Sequence, residues 1–210
     1  MYEFHPLANI FPLIEGQAYQ DLMADVLKHG VREPVWIYEG QILDGRNRYR
    51  AATAMSVPFE TREYEGEDAA AFVVSLNLHR RHLNEAQRGM VAAKLANLPA
   101  HRPAINSANL QTSQVSQADA AEMLNVSTRT VASAKKIIED APAEVSKAVE
   151  SGYMSVNLAS QVAALPEAEK AEIAAAPTES IVEVAREVVK RAHVANNSGN
   201  NEWYTPSRFI

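Results

Sequence analysis

The sequence contains no cysteine. Disulfide frameworks, cysteine-ligated zinc, iron–sulfur clusters and thiol catalysis are thereby excluded. Positive charge is also in short supply: 20 Lys and Arg stand against 26 Asp and Glu, for a formal net charge of −6 and a pI near 5.6. A diffuse basic field that coats nucleic acid or an anionic membrane is therefore missing, and any polyanion site must be local. No stretch approaches the roughly 18–20 consecutive apolar residues of a membrane helix, and Met1 to Pro6 show no basic segment followed by an apolar core. The expectation is a cytoplasmic protein. What the 210 residues do have is 47% hydrophobic content, enough for one large or two small globular domains with real cores.

Charge is spread evenly by region, with 10 basic and 13 acidic residues in 1–100, four of each in 101–140, and six and nine in 141–210. Clustering within regions is what carries information. Residues 1–98 alternate short apolar runs with helical periodicity. Gln17 to Lys28 predicts a helix ended by Gly30. Pro34 to Tyr38 predicts a strand, Glu39-Gly40-Gln41 a tight turn, and Ile42-Leu43 the returning strand. A helix through Met55, a strand over 59–63 and helices over 68–77 and 84–97 complete a small α+β unit. Residues 99–115 are polar and aperiodic and read as a linker. Residues 116–194 read as all helical, punctuated by Pro142, Gly152, Pro166 and Pro177, with an alanine excess over 159–176 that suits close helix packing. The Asn-rich stretch from 195 to 210 reads as a flexible tail.

Two basic clusters lie in the first unit. In Asp44-Gly45-Arg46-Asn47-Arg48-Tyr49-Arg50, glycine between strand and helix allows close backbone approach, and the first free N–H groups of the helix form an anion site. Arginines two residues apart cannot all face one way, so Arg50 is assigned to a surface ion pair. The second cluster, Asn77 to His82, includes Arg80 and Arg81 and precedes Asn84 and Gln87, a capping-box pair. Together they predict a pocket for a compact polyanion such as a nucleoside triphosphate, lined by Gly45, Arg46, Asn47, Arg48, Asn77, Arg80 and Arg81. His79 and His82 are assigned to surface or packing roles, since two neighbouring histidines without cysteine make a poor transition-metal set.

Residues 117–136 carry the requirements of a helix-turn-helix. Ala121 is small at the helix crossing, Leu124, Val126 and Val131 form a shared core, Asn125 suits a left-handed turn, and Ser127 caps the second helix. Its N-terminal end then offers Thr128, Arg129, Thr130 and Ser133 to base edges, and Lys136 to phosphate. A local charge near zero implies weak binding by one copy, so a homodimer or clamp is expected.

The boxes Asp44-Gly45-Arg46-Asn47-Arg48-Tyr49-Arg50-Ala51 and Asn77 to Arg80 resemble those of the N-terminal domain of the ParB and sulfiredoxin superfamily, and ParB proteins also carry a helix-turn-helix directly afterwards. The resemblance implies an α+β ParB/sulfiredoxin-like domain followed by an all-α helix-turn-helix region. It implies a bacterial, plasmid or phage protein, nucleoid- or plasmid-associated, that binds double-stranded DNA under the control of CTP or another nucleoside triphosphate. Asn77 would then approach nucleotide-bound Mg2+. Two departures stand out. Where ParB proteins have Gly-Glu-Arg-Arg, this chain has Gly45-Arg46-Asn47-Arg48, and Leu76 replaces the usual Glu before Asn77, so phosphate binding is retained better than hydrolysis. Sulfiredoxin chemistry is excluded by the missing cysteine. A nucleotide-dependent kinase or nuclease-like activity would have to use Asp44 or Glu85. At the C-terminal end, Asn201 to Pro206 resembles the opening of phage-type adenine-N6 DNA methyltransferases, which implies a specificity module of a longer enzyme; no methyltransferase catalytic motif occurs in this chain.

Overall fold

The computed structural model describes residues 1–78, 83–98 and 115–199, with side chains to 195. The first unit begins with a 3-10 turn, Pro6–Ile10, started by a proline and by the His5 ring, which accepts from the Leu7 N–H. Helix α1 (Gly16–His29) ends where the Gly30 N–H returns to the Val26 carbonyl. Strands β1 (Val35–Tyr38) and β2 (Gln41–Asp44) form a hairpin whose two turn residues, Glu39 and Gly40, both have positive φ. That geometry matches the right-handed twist of the strands. Helix α2 (Arg46–Met55) leaves β2 directly and crosses back to β3 (Thr61–Glu63), which pairs parallel to β1, giving the order β2-β1-β3.

One cluster gathers Val35, Ile37, Ile42 and Tyr49, with the Tyr49 ring meeting Tyr2, Phe4 and Phe59 edge-on. A second, formed by Val26, Ala51 and Ala52, seats α1 on α2. Helices α3 (Ala69–Leu78) and α4 (Glu85–Asn97) follow. In α4, Gly89 to Ala93 are all buried, so the helix is covered on every side. It packs against the 3-10 turn and against α5 (Gln117–Met123), α6 (Thr128–Asp140) and α7 (Ala143–Glu150). The main core accordingly runs without a break from Leu7 and Ile10 through α4 into the helical region.

Helices α8 (Val156–Ala163), α9 (Glu167–Ala174) and α10 (Ile181–Gly199) complete the chain. The architecture is thus α+β followed by all-α. Helix α10 runs on beyond residue 194 to Gly199, into the stretch expected to form a tail. No helix among the described residues is long and apolar enough to cross a membrane.

Candidate functional site

A cavity of about 280 Å3 opens where β2 hands over to α2. Gly45 occupies the N-cap with φ 94°, a left-handed conformation that glycine adopts without steric cost. No side chain caps α2, and Tyr49 is the first residue whose N–H returns to the Gly45 carbonyl. The N–H groups of Arg46, Asn47 and Arg48 therefore stand at the positive end of the helix dipole, on the cavity wall.

The arginine side chains of this box are held by the protein. Arg46, only 8% exposed, donates to Asn9 Oδ1 and to the Phe11 carbonyl, both at 2.6 Å, and lies over the Phe4 ring. Arg48 donates to the Pro34 carbonyl at 3.0 Å and to Asp44 Oδ2 at 3.3 Å, and its other terminal nitrogen lies 3.4 Å from Glu33. Arg48 faces Asp44 and Glu33, which offset its charge, and Arg46 is spent on the neutral acceptors Asn9 and Phe11. The attraction for an anion at this wall thus comes from backbone N–H groups rather than from a pair of free guanidinium groups. Asn47 Oδ1 accepts from the Ile14 N–H and pins the segment before α1 across the opening. Among the described residues Arg50 forms no ion pair of the kind expected: its guanidinium stacks over the Tyr19 ring, 4.5 Å from the centroid.

Asn77 reaches the same cavity from α3. Its amide nitrogen donates to Asp44 Oδ1 at 2.9 Å and to the Val73 carbonyl at 3.0 Å, which leaves its amide oxygen for a ligand. Asp44 is the one carboxylate among the cavity-lining residues. An Asn oxygen beside a carboxylate suits Mg2+, which is held by one or two protein oxygens together with nucleotide phosphates. Among the described residues no group of three or more His, Asp or Glu could form a metal cage. Glu85, the other candidate carboxylate, is exposed at the start of α4 and faces Thr130 Oγ1 at 3.4 Å, outside the cavity lining. His79, Arg80, Arg81 and His82 lie outside the described residues, as do the linker over 99–114 and residues 201–210.

The helix-turn-helix forms as its sequence requires. Asn125 has φ 51°, the Val126 N–H returns to the Ala121 carbonyl, and the Ser127 hydroxyl accepts from the Thr130 N–H. Val131, Ala134 and Ile137 are buried, so Arg129, Ala132, Ser133 and Lys136 share the opposite face at helical spacing. Thr128, Arg129 and Lys136 are exposed and Ser133 is half-buried, and Arg129 and Lys136 form no ion pair among the described residues. Thr130 is turned inward. Its hydroxyl meets Ser127 Oγ at 2.8 Å, and its methyl fills the space over Gly89, where an added Cβ would lie only 2.8 Å away. Its place in the candidate interface is to seat α6 on α4.

Sequence reasoning missed Gly89, although a glycine inside a helical pattern signals a close approach. It also missed the ties that α4 makes to this region. The Asn84–Gln87 capping box forms, and Gln87 donates onward to the Glu150 carbonyl at 2.8 Å. Arg88 donates to the carbonyls of Leu83 and Asn125.

No protein-family model and no curated protein matches the chain. Among solved structures it is similar to the C-terminally truncated chromosome-partitioning protein ParB from Caulobacter crescentus complexed with CTP-γ-S, at 20% identity over 90% of this chain and 94% of that one, TM-score 0.32. The same protein complexed to the centromeric parS site gives 19% identity over 84% and 92%, TM-score 0.37. A Pnob8-like ParB-N domain gives 12% identity over 91% and 93%, TM-score 0.46.

Proposed function

We propose that this chain is a ParB-like DNA-binding protein whose α2 cavity binds a nucleoside triphosphate, CTP favoured, with Mg2+, and that occupancy of the cavity controls the association of α6 with DNA in plasmid or phage partition or regulation. The observation that carries this reading is α4. The helix that brings Asn77 to the cavity leads, within seven residues, to Asn84 and Glu85, and α4 then touches both Thr130 and Asn125 of the helix-turn-helix. In this reading a ligand held by Asn77 at the end of α3 acts on α6 through α4.

In this reading the N–H groups following Gly45 hold phosphate oxygens, and the Asn77 amide oxygen and Asp44 face the metal. Arg46 and Asn47 fix the wall, while Arg48 orients Asp44. Arg80 or Arg81 supplies a further cation to the phosphates. Arg129 reads a base edge, Thr128 and Ser133 assist, and Lys136 holds a phosphate. A homodimer provides the two half-sites that a near-neutral helix-turn-helix needs. Hydrolysis is not part of the proposal: both Asp44 oxygens are already engaged, by Asn77 and Arg48.

Calorimetric titration with CTP, ATP and GTP, with and without Mg2+, tests the pocket. Binding by the wild type that weakens at least tenfold in Asn77→Ala supports it. No binding of any triphosphate overturns it.

A further inference from the structure

Helix α10 carries carboxylates toward one flank and basic side chains toward the other, with Arg186 bordering both. Ile181, Ala185, Val188 and Val189 are buried against the neighbouring helices. On one flank Arg191 pairs with Glu172 of α9, and this hydrogen bond raises the arginine pKa above its ordinary value; Glu183 and Glu187 lie on the same side. On the other flank Arg186, Lys190 and His193 follow one another at spacings of four and three, all exposed, along a groove of about 380 Å3 between α8 and α10. None of the three forms an ion pair among the described residues. The two cations Arg186 and Lys190, four residues apart, repel each other and cost an isolated helix a few tenths of a kcal/mol, so this flank favours an anion from outside the chain.

The form of that anion follows from the layout. The three positions span about 10 Å of helix axis, too spread for one phosphate and long enough for about three successive phosphates of a strand, which at about 3.4 Å of duplex axis per step cover about 7 Å. Helix α8 packs on both α6 and α10. At about 8–10 Å per helix contact, the stripe lies within about 20 Å of the α6 axis, roughly half of the ~34 Å turn of a duplex. Leu158 and Gln161 of α8 form the facing wall and offer no carboxylate to repel a strand.

We infer that the Arg186–Lys190–His193 stripe is a second DNA contact, one that holds the phosphate backbone beside the segment read by α6. It rests on the reading of α6 as a DNA-binding helix. Its role is affinity and register, without base preference.

The test is the salt dependence of binding by the full chain to a mixed-sequence duplex of about 30 base pairs, three helical turns. Losing two phosphate contacts in the double variant Arg186→Gln/Lys190→Gln lowers the slope of log affinity against log salt by about 1.8. Between about 50 and 200 mM salt the wild type then loses roughly twelvefold more affinity than the variant. The charge-preserving Arg186→Lys/Lys190→Arg variant keeps the wild-type slope, which separates charge from packing. Wild-type binding with the same slope in the Gln double variant overturns the stripe while leaving α6 in place. No duplex binding by the wild type overturns the α6 reading and the stripe together.

Discussion

Gly89→Ala should displace α6, and the structure sets the size of the effect. The added Cβ would lie 2.8 Å from Thr130 Cγ2, 3.8 Å from the Thr130 carbonyl and 3.9 Å from Ala134 Cβ. Carbon contacts settle at about 3.5–4.0 Å, so only the threonine methyl is too close, by roughly 1 Å. That methyl cannot rotate away freely, because its hydroxyl is tied to Ser127 and Glu85. Overpacking of this kind costs about 1–3 kcal/mol, offset by about 1 kcal/mol of helix propensity gained on replacing glycine. The single variant is expected to lose about 1 kcal/mol, a shift of about 0.5 M in the urea midpoint for a slope near 2 kcal/mol per M. Thr130→Ser removes the offending methyl and keeps the hydroxyl, at a cost of about 0.8 kcal/mol for the lost carbon. In the double variant alanine fills the vacated space, so the pair should be coupled favourably by about 1.5–2 kcal/mol. Urea unfolding of the four proteins measures that coupling. Additivity within about 0.5 kcal/mol, the range for sites that do not interact, would refute the close approach of α4 and α6.

Three further outcomes follow from the site. Gly45→Ala places a Cβ at φ 94° and 3.0 Å from the Arg48 guanidinium; it should cost about 1–2 kcal/mol of stability and weaken triphosphate binding, read by denaturation and calorimetry. Arg46→Met removes the hydrogen bonds that Arg46 donates to Asn9 and to the Phe11 carbonyl; it should destabilise the fold by about 1–3 kcal/mol, and full stability with abolished nucleotide binding would instead make Arg46 a direct phosphate ligand. Arg129→Ala should lower affinity for a selected duplex by about 1–3 kcal/mol and relax preference at one base position, while nucleotide affinity stays unchanged; binding selection from a random pool reads both.

The elements and their caps were legible because their signals are local. Gly30, the Asn84–Gln87 box, Asn125 and Ser127 each act within four residues of their own position, and all four appear as expected. The direction of the arginines was not legible. Arg46 finds its partners 35 and 37 residues away, and no spacing rule announces that Asn9 and Phe11 will meet it. Thr130 likewise follows a recognition-helix pattern along the chain, yet its orientation is decided by Gly89, 41 residues earlier. The same holds for α4: the linker after residue 98 places it with the first unit along the chain, and it packs on α5, α6 and α7 as well. Its run of buried residues from Gly89 to Ala93 has no helical period, which is the mark of a helix packed on all sides.

The central claim, that the α2 cavity controls α6, is tested most directly by one equilibrium measurement. The affinity of the full chain for its selected duplex is determined with and without saturating triphosphate and Mg2+, for the wild type and for Asn77→Ala. The account predicts at least a fivefold change in the wild type, the lower end of typical coupling between sites at about 1 kcal/mol, and none in the variant. Equal wild-type affinity in both conditions, with nucleotide shown to be bound, would contradict it.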